Sequence, residues 1–236
     1  MSRRALVTGG SGAIGAAICR RLAADGLDVI VHANAHGDAA RQLAARIGSA
    51  RAVTFDVTDA EATRTALESL LESGPIQVIV NNAGIHDDAP LPGMSREQWL
   101  RVIDVSLNGF FNVTQPLVLP MIRTRWGRII SITSVAAQIG NRGQTNYAAA
   151  KGALHAASRS LARELGSRGV TVNCISPGLI DTPMSAGAFD RAMIERLVPL
   201  QRPGTPDDVA AAVGFLASDA AAYITGQIVP VNGGMT

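Results

Sequence analysis

Short runs of apolar and β-branched residues alternate along this chain with longer stretches whose apolar positions recur every three or four residues. The short runs are ALVT (5–8), DVIVHA (28–33), AVTFD (52–56), QVIVNN (77–82), RIISIT (128–133), VTVNCIS (170–176) and QIVPV (227–231). Several are apolar on both faces, which suits parallel strands covered by helices on either side. The longer stretches predict helices near 14–24, 38–47, 59–73, 95–123 with a break, 146–166 and 206–218. This alternation predicts a doubly wound α/β fold, a seven-stranded parallel sheet with right-handed crossovers, in a single domain over 1–236. No repeat, low-complexity block or linker interrupts it. Pro and Gly near 199–206 mark a loop, and 183–199 is the least regular stretch. A loop after a late strand lies at the carboxyl edge of the sheet, where ligands bind, so a substrate loop is expected near 183–205.

Composition narrows the class. Hydrophobic residues make up 47% and charged residues 17% of 236, as in a globular protein with a sizeable core. Aromatics reach only 4%, so that core is aliphatic. A net charge of +2 with scattered arginines gives no case for nucleic acid or a membrane surface. Cys19 and Cys174 sit far apart in apolar surroundings and read as core residues in a reducing compartment. No His or Cys spacing suggests a metal site, and no run reaches the ~18 apolar residues of a membrane span. A cytoplasmic protein is expected.

The first strand runs into TGGSGAIG at 8–15. A glycine-rich turn between a first strand and a first helix lets backbone approach a pyrophosphate, which then sits at the helix N-terminus. A ligand-free strand–helix turn would show the same glycines, so the turn alone leaves both readings open. The second strand ends in VHANAHG at 31–37. A site for NAD(H) usually places a carboxylate there for the adenosine ribose 2′-hydroxyl. This chain offers Ala33 and Asn34, with His32 and His36 beside them. With no carboxylate to repel a 2′-phosphate, NADP(H) is expected ahead of NAD(H), and Ser11, Asn34 and His36 are its candidate partners. Ordinary surface polarity also accounts for the histidines.

Lys151 is the one lysine among 21 basic residues. A composition bias that favours arginine replaces lysine wherever arginine serves as well, so the survivor marks a need for a compact ammonium that can lose its proton. Tyr147 stands four residues before it. On a helix over 146–166 the two share a face. An unperturbed phenol titrates near ~10, and a nearby ammonium is expected to lower the pKa of Tyr147 and make it a general acid or base near neutrality. Ser134 follows the strand RIISIT, 13 residues before Tyr147, and is placed to hold a substrate oxygen. Taken alone, it reads as a turn residue or helix cap.

Thr8-Gly9 with Gly15, NNAG at 81–84, Ser134, Tyr147-x-x-x-Lys151 and Pro177-Gly178 arrive in that order. In these motifs the whole chain resembles the short-chain dehydrogenase/reductase family. RIISITSVAAQIGNRGQTNYAAAKGAL and RGVTVNCISPGLIDTPM are similar to the 3-oxoacyl-acyl carrier protein reductases within it. GNRGQ and VNCI look like a subgroup serving aryl-polyene and similar secondary-metabolite pathways. The resemblance implies a Rossmann-type sheet with helices on both faces. It implies NADPH-linked reduction of a 3-oxoacyl thioester on acyl carrier protein, in fatty acid or polyketide-like biosynthesis, by a cytoplasmic homotetramer. Catalysis falls to Ser134, Tyr147 and Lys151, the last two also meeting the cofactor. To the cofactor site it adds Thr8, Gly9, Ser11, Gly12, Ile14, Gly15, Asn34, Pro177 and Gly178. Asp56 and Val57 would flank the adenine, Asn82, Ala83 and Gly84 the ribose side, and Ile180 and Thr182 the carboxamide. Arg125 and Arg168 match two carrier-docking arginines, or are simply two of the many scattered ones.

Two positions depart from the family pattern. Ala13 stands where glycine is usual, the glycine being shifted to Gly12, and Gly12 stands where many NADPH-using members carry arginine. Ser106 in DVSLNG aligns with the active-site Asn that helps hold a proton-relay water, while Asn108 would face elsewhere on a helix. A main-chain carbonyl at 106 can still carry that water, so altered but retained activity is expected. Two other functions stay open: an NAD(P)-dependent dehydrogenase of a free secondary alcohol or sugar, and a non-catalytic dinucleotide-sensing module, which would be expected to lose Tyr147 or Lys151. His155 is expected at a helix interface, His86 at the cofactor entrance, and Trp99 and Trp126 as packing anchors.

Overall fold

The computed structural model describes residues 2–185, 187 and 189–236. Its strands are β1 (Arg4–Val7), β2 (Asp28–Ala33), β3 (Ala50–Thr54), β4 (Val78–Asn81), β5 (Gly127–Ile132), β6 (Val170–Pro177) and β7 (Ile228–Val231). They form one sheet in the order β3-β2-β1-β4-β5-β6-β7, with every neighbouring pair parallel. The chain starts mid-sheet, steps outward to β3, returns to β4 beside β1, and steps outward the other way. The switch point between β1 and β4 is where doubly wound sheets bind ligands.

The helices are α1 (Ala13–Ala24), α2 (Gly37–Ile47), α3 (Ala60–Leu71), α4 (Arg96–Ile103), α5 (Gly109–Arg123), α6 (Ala136–Ile139), α7 (Thr145–Leu165), α8 (Arg191–Leu197) and α9 (Pro206–Ala217). Successive strand residues feed opposite apolar layers. Ala5 and Val7 join Ile18, Leu22, Val209 and Val213 under α1 and α9, while Leu6 joins Leu67, Val113, Leu117 and Met121 under α3 and α5. Full burial of each such Leu, Ile or Val side chain contributes about 1.5–3 kcal/mol. Both cysteines are buried, unpaired members of this interior.

All seven expected strands form, with ends shifted by one or two residues. Two features differ from the sequence reading. The break foreseen within 95–123 is a wide, π-type turn over Asp104–Asn108, which joins α4 and α5 without interruption. Such turns insert an extra residue per turn and often mark functional positions. The stretch read as irregular holds α8, whose first turn is capped by Asp190 accepting from Met193 N at 2.8 Å. Within the expected substrate loop, residues 186 and 188 lie outside the described residues.

Candidate active site

The turn after β1 is shaped for a phosphate. Gly9 holds φ 62°, and a Cβ on Gly15 would stand 2.2 Å from Gly9 O and 2.8 Å from Gly10 Cα, so only glycine lets α1 begin this close to the turn. Gly12, the residue before α1, provides no side-chain cap, and Gly12 and Ser11 are exposed or partly so. The leading amides of α1 are thereby left for an external anion. Ile14 packs against the apolar layer below. Thr8 and Asn82 act within the protein: Thr8 Oγ1 accepts from Asn82 N (3.0 Å) and Ala83 N (2.9 Å), and Asn82 Nδ2 donates to Thr8 O (2.9 Å) and Gly9 O (3.1 Å). They stitch the turn to the end of β4 across the switch point.

Beyond β2 and β3 lies a polar rim. Asp56 accepts from Thr58 N and Oγ1, both at 2.8 Å, and the Thr58 amide bond is the leading cause that holds its carboxyl below the usual range, with the Asn34 side chain a lesser cause in the same direction. Val57 packs on Gly109, and its carbonyl accepts from Asn112 Nδ2 at 2.8 Å. The surface reading of His32 is wrong: the ring is 1% exposed and bridges Gly9 to Phe55. Arg41, passed over in the sequence, folds back along α2 until its Nη1 lies 3.1 Å from where a Gly37 Cβ would stand, and it pairs with Asp38 at 2.6 Å. The signal was available, since helical side chains lean towards the helix N-terminus.

The catalytic candidates converge at the carboxyl ends of β5 and β6. Ser134 Oγ accepts from Ala136 N at 3.2 Å, in the turn that leads into α6, and its hydroxyl also bears on the Tyr147 phenol, whose pKa it lowers. Lys151 is 3% exposed, donates from Nζ to Ile132 O at 3.0 Å, and lies 5.7 Å from the centre of the Tyr147 ring. A Cβ on Gly84 would come within 2.9 Å of Nζ, so the glycine of NNAG is what admits the lysine. The expected lowering of the Tyr147 pKa is not what these contacts produce. Burial raises it, the Ser134 bond opposes that rise, and the charge of Asp88 adds to it. Desolvation is the leading cause, and the ammonium of Lys151 is turned towards a carbonyl. Burial lowers Lys151 itself to about 8, with Cys174 a smaller opposing influence.

Ser106 is 3% exposed, at the centre of the wide turn, and its Oγ has no partner among the described residues. Asn108 is exposed and donates to Asp104 at 2.6 Å, as its spacing implied. Asn146, also passed over, is fully buried: Nδ2 donates to Asp87 O (3.0 Å) and Gln98 O (3.1 Å), and Oδ1 accepts from Tyr147 N (2.8 Å). His155 packs behind the site, bonded to Thr133 Oγ1 at 3.0 Å. At the other wall, Gly178 N donates to Val231 O at 3.0 Å and Pro177 O accepts from Val135 N at 2.8 Å, while Ile180 bridges to Gly204. Ser185, another residue not singled out, ties Thr182 N (3.0 Å) to Ile180 O (2.6 Å).

The docking arginines lie elsewhere. Arg125 precedes β5 and Arg168 precedes β6, at the amino edge, and Arg125 Nη2 reaches Ser167 O at 3.5 Å. Six residues of β5, ~20 Å of strand, separate that edge from Ser134. Within one chain the arginines do not line the cleft.

A glycine-cradled helix end and a half-buried tyrosine share one sheet edge, and the uncapped amides fit the pyrophosphate of a nicotinamide dinucleotide. The class so defined is a dinucleotide-dependent oxidoreductase. A family model described as enoyl-(acyl carrier protein) reductase matches residues 9–236. The chain is 42% identical to the 3-oxoacyl-[acyl-carrier-protein] reductase FabG of Aggregatibacter actinomycetemcomitans, over all of both chains. It is 44% identical to FabG of Escherichia coli over 98% of this chain and 96% of that one. It is 43% identical to the acetoacetyl-CoA reductase of Allochromatium vinosum over 100% and 99% of the two chains. The chain belongs to the short-chain dehydrogenase/reductase family.

Proposed function

We propose that this chain reduces a 3-oxoacyl thioester on acyl carrier protein to the 3-hydroxyacyl thioester with NADPH, in fatty acid or polyketide-like biosynthesis. The observation that carries the reading is the Tyr147 phenol, its pKa raised by desolvation so that it stays protonated, with the buried Lys151 ammonium 5.7 Å from its ring and Ser134 at the end of the neighbouring strand. The bound dinucleotide would supply hydride to the C3 carbonyl. Ser134 holds the carbonyl oxygen, and Tyr147 donates its hydroxyl proton to that oxygen as the C–O bond becomes an alkoxide. Lys151 holds positive charge near the phenolate that remains. Ser106 offers its main-chain carbonyl to a relay water in place of the usual Asn. Arg41, folded over the start of α2, and the lack of a carboxylate at the carboxyl end of β2, where Ala33 and Asn34 stand, support NADP(H) over NAD(H).

Phe111 and Leu119, 62% and 59% exposed on α5, support self-association, here read as a homotetramer, with Arg125 and Arg168 of one protomer receiving a carrier bound for a neighbour's cleft. Residues 183–205 act as the substrate loop. A coenzyme A thioester is the second reading, favoured by the Allochromatium relative. Initial rates with NADPH and NADH, over carrier-bound, coenzyme A and free 3-oxo substrates, decide among these. Tyr147→Phe is expected to lower kcat by at least 10²-fold, in the range of lost general-acid catalysis. Turnover by Tyr147→Phe within threefold of the parent would end the assignment.

A further inference from the structure

The amide of Gly9, at the head of the phosphate turn, is spent on a side chain rather than on a ligand. It donates to His32 Nδ1 at 3.1 Å, and the other ring nitrogen, Nε2, lies 2.8 Å from Phe55 O. A backbone N–H only donates and a carbonyl only accepts, so the ring is neutral with its proton on Nε2. Burial pushes the pKa of His32 down to about 4, which keeps that neutral form in place near pH 7. The ring centre lies 4.0 Å from that of Phe55, and the main-chain carbonyl of His32 accepts from Gly10 N at 2.7 Å. One residue of β2 thus holds both glycines of the turn and the end of β3, next to Asp56. Gly9 sits at φ 62°, where a glycine has many other conformations open to it.

We propose that His32 is a positioning residue for dinucleotide binding, its imidazole locking Gly9 in the shape that receives the pyrophosphate and tying that turn to the adenine edge. The proposal rests on reading the turn as a dinucleotide site. The gain is preorganisation: ordering a glycine turn is done by folding and not at the expense of ligand affinity.

Three variants separate the two ring bonds. His32→Phe keeps a ring beside Phe55 and removes both nitrogens. His32→Asn places an oxygen acceptor near the position of Nδ1, and His32→Gln places a donor near Nε2. In fluorescence titrations, His32→Phe is expected to raise the Kd for NADPH at least tenfold, with the KM for NADPH carrying the loss and kcat falling by a smaller factor. His32→Asn is expected to recover most of that affinity. In the ligand-free protein, amide hydrogen exchange at Gly9 quickens at least tenfold in His32→Phe and slows again in His32→Asn. A folded His32→Phe that binds NADPH within twofold of the parent and protects Gly9 equally overturns the proposal. Should His32→Phe not fold, equal affinities in His32→Asn and His32→Gln overturn it instead. A parent protein that binds neither NADPH nor NADH sinks the dinucleotide reading, a separate failure, and the Gly9 exchange rates still decide the brace.

Discussion

Buried beneath Gly84 and bonded to a strand carbonyl, the Lys151 ammonium has exchanged water for one good acceptor, and its pKa falls to about 8 from 10.5. The sign follows from linkage. A base whose pKa is lower folded than unfolded opposes folding below the folded value, and that opposition fades as pH rises towards the unfolded one. Here the window runs from about 8 to 10.5, and the full effect is about 3 kcal/mol. For catalysis the same group loses its charge within the working range while Tyr147, whose pKa is raised, stays protonated. The reduction rate is therefore expected to fall as pH climbs through about 8. Lys151→Arg, whatever its rate, loses that inflection because guanidinium does not titrate there. A pH–rate profile retaining the inflection in Lys151→Arg would assign it to another group. The sequence pointed to Tyr147, Ser134 and Lys151 through type and spacing. It could not reveal that the Lys151 ammonium would turn to Ile132 O beneath Gly84, or that the charge of Asp88 would add to the rise at Tyr147, because those partners are set by the fold and not by local spacing.

Elements fix the site through a few close backbone approaches. With Gly15 Cα against Gly9 O, α1 starts where its amides meet the ligand edge. Gly15→Ala forces a Cβ to within 2.2 Å of that carbonyl unless the turn opens. The expected result is at least a tenfold weaker Kd for NADPH, read by titration, with the seven-stranded sheet intact by circular dichroism. Unchanged affinity would mean that the turn does not carry the cofactor. The glycines, strands and long helices were legible because period and turn chemistry are local. The end of β3 was placed two residues late because AVTFD stays apolar, yet pairing stops at Ala33↔Thr54 and Phe55 turns its carbonyl to His32. The wide turn at Asp104–Asn108 keeps helical spacing on either side, so the pattern suggested a break where the backbone only widens. The helix α8 buries none of its residues, so its sequence carries no apolar period to read.

At the scale of the molecule, the catalytic candidates and the arginines proposed for docking occupy opposite edges of one sheet. The amino edge is rigid around Arg125: Trp126 is sandwiched between the guanidinium groups of Arg3 at 3.7 Å and Arg128 at 4.2 Å, and its Nε1 donates to Asp219 at 2.8 Å. Such a turn can present Arg125, at φ 52°, beside Arg168 in a fixed relation without contributing to the cleft of its own chain. If these two receive an acidic carrier, reversing their charge should affect the carrier-bound substrate far more than a small neutral thioester. Arg125→Glu with Arg168→Glu is expected to raise KM for 3-oxoacyl-acyl carrier protein more than tenfold and KM for an N-acetylcysteamine thioester less than threefold. The contrast should shrink in ~0.5 M salt, where exposed charges a few ångströms apart are screened. Because the arginines and Tyr147 lie on different edges, mixing this double variant with Tyr147→Phe protomers should restore turnover of the carrier-bound substrate in hybrid assemblies. Equal loss on both substrates, or no recovery in hybrids, would place docking on the cleft side of each chain and leave Arg125 and Arg168 among the scattered arginines.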